Sequence, residues 1–229
     1  MPMLDKLSAS FRGKRNLLLA RRLGELAAAI AKRNGGRRLK VIDIGGAPGF
    51  WTTLEADMPA DITMVNIEPD KTAPARSGRI AFESVAGDAR DLKRWPDRAF
   101  DLVISNSVIE HVGSWGDIVR ATSEMRRLAG HGWVQTPAFG FPVEPHFALP
   151  LVHWLPVQIR AALLPHLPRQ GYEHLDHGTV GDARRAVEEI NLLTGREMRF
   201  LFPEADLLRE RVAGLTKSFI AAWPVGWWR

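Results

Sequence analysis

The chain contains no cysteine. That excludes a disulfide framework, a thiol nucleophile and any zinc or iron–sulfur site built on thiolates, and it suits a reducing compartment. Long apolar runs are also scarce. The most apolar uncharged stretch, Phe147 to Ile159, is 13 residues long and holds Pro150 and Pro156, whereas a bilayer span needs about 20 residues. No signal-peptide pattern opens the chain, because the apolar residues of Met1 to Lys40 are broken up by charge. Internal repeats and low-complexity tracts are missing as well. The expectation is a soluble, cytoplasmic protein, at most peripheral to a membrane. What is present is ordinary for a globular chain: 229 residues, 45% hydrophobic and 25% charged. That is enough for one domain, or one domain with an insertion, burying roughly 70–75% of its unfolded surface.

Charge is unevenly spread. The first 40 residues carry eleven Lys/Arg against Asp5 and Glu25, a surplus of nine, while the remainder carries twenty against twenty-four, a deficit of four. Between those cations Leu17, Leu18, Leu23, Leu26, Ala27 and Ile30 recur at roughly helical spacing, and Gly35-Gly36 stops the pattern. Residues 1–38 therefore read as a basic amphipathic helical segment. Three roles compete for it: a solvated helix covering the domain edge, a nucleic-acid contact, and an anchor on anionic lipid.

From residue 39 the pattern alternates. Leu39–Ile44 reads as a buried strand running into Gly45-Gly46-Ala47-Pro48-Gly49, and Phe50 to Met58 as a helix. Further strands are expected at Ile62–Ile67, Ile80–Val85, Phe100–Ser105 and Gly132–Thr136, with a helix over Trp115 to Leu128. Strands alternating with helices indicate right-handed βαβ units and a parallel sheet. Residues 138–181 break the rhythm, holding six of the fifteen prolines and five of the seven histidines. Such a segment is too long and too apolar for a plain connector and reads as a lid over one end of the sheet. A helix over Asp182 to Leu193 and closing strands at Glu197–Phe202 and Thr216–Ala222 complete the expectation.

The turn after the first strand carries the chemistry. Glycines there let a ligand approach the backbone, and the following helix offers unpaired N–H groups. Three residues separate Gly45 from Gly49, so the dinucleotide pattern G-x-G-x-x-G is absent, and no Gly-Lys-Ser/Thr marks a phosphate loop. What stands is Asp43-x-Gly45-x-x-x-Gly49, whose carboxylate suits a ligand with positive charge and no pyrophosphate. Glu68 ends the second strand, where a carboxylate takes ribose hydroxyls, and Asp88 follows the third, where it can accept from an adenine amine. Three acids at successive strand ends converge on the crevice where open α/β sheets bind ligands.

At these residues the chain resembles the class I S-adenosylmethionine-dependent methyltransferases, particularly the broad bacterial type 11 group. The resemblance rests on Val41-Ile-Asp-Ile-Gly-Gly-Ala-Pro-Gly49, Asn66-Ile-Glu68, Gly87-Asp-Ala-Arg-Asp-Leu92 and Phe100 to His111, and covers about Leu39 to Gln135. It implies S-adenosylmethionine as cofactor, with Asp43, Gly45, Gly46 and Gly49 around its methionine part, Glu68 at the ribose, Asp88 and Ala89 at the adenine, and Asn106 with Ser107 facing the transferred methyl. Ala47 departs from the middle glycine of many members, narrowing the approach by one methyl. Residues 136–146, 149–156 and 217–221 look like segments of a subset of the family, as does Phe11-Arg-Gly-Lys-Arg15, which would close over the cofactor carboxylate. The expected fold is α/β: a doubly wound, Rossmann-like, seven-stranded, mostly parallel sheet with an antiparallel last strand. The cofactor-binding domain then runs over residues 39–229, with the lid inserted after the fifth strand.

Methyl transfer is an in-line displacement, so positioning supplies most of the catalysis. A base is needed only where the acceptor must lose a proton. His111 is the first candidate, with Glu144 and His146 of the lid next. His174-Leu-Asp-His177 has no supporting ligand pattern, so no metal is expected. The reading is methyl transfer to a small-molecule or lipid-like acceptor, at oxygen. Two alternatives stay open: an RNA methyltransferase using the basic helix, and a non-catalytic cofactor-binding module. Against the RNA reading, the body is net acidic and Ser105-Asn-Ser-Val108 stands where a base-methylation N-P-P-Y tetrad would. Trp223, Trp227 and Trp228 crowd the C-terminus as a dimer contact, as membrane-interface residues or, by default, as packing on the sheet. Nothing in the pattern selects an oligomeric state.

Overall fold

The structure is a computed structural model that describes residues 2–54, 58–144, 149–166 and 179–228, without the side chains of 2–12, 14, 144, 149 and 165. In chain order the elements are α1 (Pro2–Arg33), β1 (Leu39–Ile44), α2 (Pro48–Thr53), β2 (Ala60–Asn66), β3 (Arg76–Ser77), β4 (Ile80–Ala86), β5 (Phe100–Asn106), α3 (Trp115–Leu128) and β6 (Ala129–Pro137). The second half adds β7 (Val143–Glu144), β8 (Leu149–Pro150), α4 (Val157–Leu163), α5 (Val180–Glu188), α6 (Gly195–Leu201), β9 (Asp206–Val212) and β10 (Leu215–Trp223). No helix among the described residues is long and apolar enough to cross a membrane.

One sheet of eight strands runs β3-β4-β2-β1-β5-β6-β10-β9. The pairs from β4 to β6 are parallel, whereas β10 runs antiparallel between β6 and β9. Seven of these strands form the expected sheet; the eighth, Arg76–Ser77, is a two-residue antiparallel addition at the β4 edge. The central strands β1, β2, β5 and β6 are largely buried on both faces, which explains their apolar reading. Ile42, Ile44 and Val103 pack with α3 and α6 on one side. Leu39, Val41, Leu102 and Ile104 pack on the other with Leu19, Leu23, Leu26 and Ala27 of α1.

Several boundaries correct the sequence expectation. Glu197–Phe202 is not a strand but lies in and beyond α6. Thr194 and Glu197 close a reciprocal cap there, with the Glu197 carboxylate accepting from Thr194 N–H at 2.6 Å and from its hydroxyl at 2.7 Å. That local hydrogen bonding outweighs the apolar alternation of Met198, Phe200 and Phe202. The first closing strand is β9 instead. The helix after the glycine turn is α2, starting at Pro48 and only six residues long. Helix α5 starts at a Thr179 cap, before the expected Asp182. Residues 138–166, where the lid is expected, hold the β7–β8 hairpin, a 3-10 turn at Val152–Trp154 and α4, which packs on α5 through Ala161, Leu164, Ala183 and Val187.

The basic helix is tied to the domain by its cations. Arg37 forks onto Asp101 at 2.8 and 2.9 Å, Arg38 meets Asp61 at 2.6 Å and Arg15 meets Glu210, whereas Arg21 and Arg22 pair with Glu25 within α1 itself. At the other terminus the tryptophans pack on the sheet. Trp228 and Trp223 are buried, with Trp228 4.7 Å from the Trp133 ring and Trp223 stacked on Phe202.

Candidate functional site

The strand order reverses at β1, which sends β2 to one side and pairs with β5 on the other. Ligands of open α/β sheets bind at the carboxyl ends beside such a switch point. Asp43, Glu68, Asp88 and Asn106 stand on or just beyond the carboxyl ends of β1, β2, β4 and β5, four neighbours in the sheet.

Asp43 does not stand open to solvent. It is 2% exposed and accepts a hydrogen bond from the Trp51 indole N–H at 2.7 Å. Burial pushes its carboxyl up to about 7, and the Trp51 N–H opposes that rise. The glycine turn is folded directly over it. A Cβ on Gly46 would fall 2.0 Å from Asp43 Oδ2, so only glycine passes there. Gly45 has φ +73°, a conformation that favours glycine, and its N–H bonds the Val65 carbonyl at 2.8 Å. A Cβ at Gly45 would run into Val108 at 2.3 Å, so the ends of β1 and β5 meet at that point. Gly49 has open space where a side chain would be, Ala47 is exposed, and Asn66 Nδ2 donates to the Gly46 carbonyl at 2.9 Å.

Glu68 is exposed, two residues past the end of β2. Asp88 is held differently. Arg90 donates to it through its backbone N–H at 2.9 Å, through Nε at 2.9 and 3.0 Å, and through Nη2 at 2.5 Å. The Arg90 guanidinium holds the Asp88 carboxyl below its ordinary range. Ala89 beside it is buried.

Past β5 the chain turns sharply. Ser107 has φ +53°, a strained setting for a non-glycine residue. Gln135 of β6 holds it there: Ser107 N–H reaches the Gln135 carbonyl at 2.9 Å, and Ser107 Oγ donates to Gln135 Oε1 at 3.1 Å. Asn106 Oδ1 is buried without a hydrogen-bond partner among the described residues. An unsatisfied buried acceptor costs about 1–3 kcal/mol, so a ligand donor is favoured there. That orphaned oxygen, the glycine cradle and the absence of any phosphate loop fit a cationic nucleoside ligand such as S-adenosylmethionine.

Among the base candidates, His111 is exposed on the turn Ile109–His111 directly after β5, its N–H on the Val108 carbonyl at 2.8 Å. Glu144 ends β7, but its side chain lies outside the described residues, as do the whole of His146 and the His174-Leu-Asp-His177 segment. Phe11, Arg12 and Lys14 fall on helical backbone with undescribed side chains. Among the described residues no group of His, Asp and Glu is arranged to hold a metal.

Four contributors went unnoticed in the sequence: Trp51, Arg90, Gln135 and Glu110. Glu110 is fully buried and accepts from Thr136 Oγ1 at 3.0 Å, while its carbonyl takes the Asn191 N–H at 2.8 Å. Trp51 carried a signal, since a buried indole needs an acceptor and Asp43 is the nearby one in sequence.

Residues 42–133 match the family model described as a methyltransferase domain of type 11. Two 2-methyl-6-phytyl-1,4-hydroquinone methyltransferases of Oryza sativa subsp. japonica, both chloroplastic, are 34% and 36% identical over 118 and 117 residues. Those matches cover 49% and 48% of this chain but 32% and 33% of the rice proteins, so the chain aligns with about a third of their length. A solved structure from Pyrococcus horikoshii OT3 is 19% identical, covering 87% of either chain with a TM-score of 0.47.

Proposed function

We propose, from the premise that residues 42–133 are a class I S-adenosylmethionine-dependent methyltransferase domain of the type 11 group, that this chain methylates an acceptor with an apolar body, at oxygen. The observation that carries the cofactor half is the Gly46 turn closed over a buried Asp43 beside the unpartnered Asn106 Oδ1. Asp43 sets the turn and its negative potential under the methionine part, and Gly45 and Gly49 leave the approach open. Glu68 takes the ribose hydroxyls, Asp88 with Ala89 the adenine edge, and Asn106 with Ser107 lie at the reacting end. Bound S-adenosylmethionine supplies an electrophilic methyl on a sulfonium centre. The chain's own part is to orient and desolvate the acceptor and, at a hydroxyl, to remove its proton. His111 is the base we assign, because it follows β5 on the reacting side.

The acceptor half is supported by the lid. Leu151, Trp154, Leu155 and Ile159 leave large apolar surface open on the segment that follows β6. The rice relatives are named for a phytyl-substituted hydroquinone, a lipid with two phenolic oxygens, and that class suits such a lid. The RNA alternative is the weaker one, since five of the eleven N-terminal cations, Arg15, Arg21, Arg22, Arg37 and Arg38, are engaged by carboxylates of the chain itself. The test is incubation with methyl-labelled S-adenosylmethionine and a prenylated hydroquinone, against RNA as the second acceptor. Label in a methoxy group of the quinol supports the reading; label on ring carbon corrects the acceptor atom; label in RNA alone overturns the acceptor class.

A further inference from the structure

The carboxyl edge of the sheet carries two features that cofactor binding does not use. The first is the lid segment after β8. Leu151, Trp154, Leu155, Ile159 and Leu163 are 37–48% exposed, although the same segment buries Val152, Ala161 and Leu164. Ile159 and Leu163, four residues apart, share one face of α4, and Leu155 stands just before the helix on extended backbone. This stripe stands on anchored backbone: His153 Nε2 and Trp154 Nε1 each lie 2.9 Å from the Phe139 carbonyl. A contiguous exposed apolar patch on a soluble domain marks an interaction site more often than chance.

The second feature is charge. Over the described residues 149–166 the sequence has no Asp or Glu but holds Arg160. Neighbouring α5 opposes little, because its charges pair internally as Arg184–Glu188 and Arg185–Asp182. Arg15 of α1 meets Glu210, which also takes the Ser218 hydroxyl, and Ser218 pairs with Pro137 at the carboxyl end of β6. Helix α1 therefore reaches this edge at Arg15, and at 1.5 Å per residue its earlier turns continue about 20 Å beyond. Those turns contain Lys6, Arg12 and Lys14 against the single Asp5.

We propose that this edge docks on an anionic lipid bilayer. The apolar stripe of α4 enters the interface, and the first turns of α1 add cationic attraction. The cofactor cleft lies at the same edge, so its mouth opens at the lipid surface and an acceptor dissolved in the bilayer reaches the cleft without crossing water. The proposal rests on the lipid-like acceptor read above. It differs from a nucleic-acid contact in requiring the apolar stripe as well as charge.

The test is vesicle sedimentation of the full chain with phosphatidylcholine alone and with phosphatidylglycerol mixed in, at low and high salt. The wild type is compared with Ile159→Ser/Leu163→Ser and with Arg12→Gln/Lys14→Gln. Wild type partitions onto anionic vesicles, less so in high salt. Loss of the two apolar side chains weakens partition on the order of ten-fold. Loss of the two cations weakens it roughly ten-fold on anionic vesicles, with little effect on neutral ones. No partition by wild type overturns the proposal, and so does partition that ignores the α4 variant and is competed away by RNA. S-adenosylhomocysteine is titrated into every sample. Cofactor binding without partition removes the docking surface alone, whereas partition without cofactor binding keeps docking and removes the methyltransferase reading.

Discussion

Trp51 donates its indole N–H to Asp43 Oδ2 across 2.7 Å, inside the wall between β1 and α2. Among the described residues no cation pairs with Asp43; burial raises its carboxyl to about 7 and the Trp51 N–H opposes that rise. A carboxyl poised near neutrality beneath the glycine turn ties cofactor affinity to pH, and Trp51 sets where that dependence falls.

Trp51→Phe keeps an aromatic body and removes the hydrogen bond. A hydrogen bond to a charged group contributes about 1.5–3 kcal/mol, or roughly one pKa unit or more. Wild-type affinity for S-adenosylhomocysteine rises with pH up to about 7 and then levels, following ionisation of Asp43. In the variant the rise moves to higher pH. Calorimetric titration from pH 6 to 9 reads this directly, and an unmoved profile shows that Trp51 only packs.

Asp43→Asn has the opposite effect on the ligand-free protein. The folded carboxyl titrates near 7 and the unfolded one near 3.8, so ionising Asp43 destabilises the fold as pH rises between those values. By linkage the penalty reaches about 4 kcal/mol above pH 7. Denaturant unfolding without ligand therefore finds Asp43→Asn more stable than wild type at pH 8. The gap narrows below pH 7 and closes near pH 4. Equal stability at pH 8 contradicts a buried carboxylate held by the Trp51 N–H without a cation.

Gly46→Ala places a methyl 2.0 Å from Asp43 Oδ2, closer than any real contact. Either the turn or the carboxyl must move, and cofactor affinity falls about ten-fold or more, by roughly 1.4 kcal/mol per decade. In an Asp43→Ala background the same change costs less stability. A double-mutant cycle by denaturant unfolding measures that coupling; additivity places the strain elsewhere.

Arg127 is the structural counterpart on the far side of the sheet. It forks onto Glu124 at 2.8 and 2.9 Å, reaches Asp97 at 2.9 Å, and donates to the carbonyls of Trp95 and Leu92. Its guanidinium holds the Glu124 carboxyl below its ordinary value. A depressed carboxyl contributes stability above its unfolded pKa and loses it as pH falls through the folded one. Arg127→Ala is expected to cost about 1–3 kcal/mol at pH 7 and less in acid, read by denaturant unfolding at both. Cofactor affinity stays unchanged.

The doubly wound sheet was legible because its central strands are apolar on both faces and its parallel strands end in punctuation: Gly45, Glu68, Gly87-Asp88 and Asn106 all fall at or just past strand ends. The helix over Gly195–Leu201 was not, since its seven residues are too few to display a period, and only the Thr194–Glu197 cap marks it. At the site, the acids were visible but their surroundings were not. Asp88 looks unpartnered in sequence, yet Arg90, two residues on, donates to both oxygens while leaving the side chain 35% exposed. Asp43 reads as a ligand-facing charge, yet the chain folds Gly46 over it. Residues that act through tertiary contact, such as Gln135 under Ser107, leave no periodic trace.

The most direct measurement is calorimetric titration of S-adenosylhomocysteine at pH 8 into wild type and Asp43→Ala, with NADH as the control ligand and copurified cofactor removed beforehand. The account predicts micromolar binding by wild type, loss of that binding in Asp43→Ala and no signal with NADH. Stripped wild type that binds no S-adenosylhomocysteine would contradict it and leave the buried carboxylate under Gly46 without a ligand to serve.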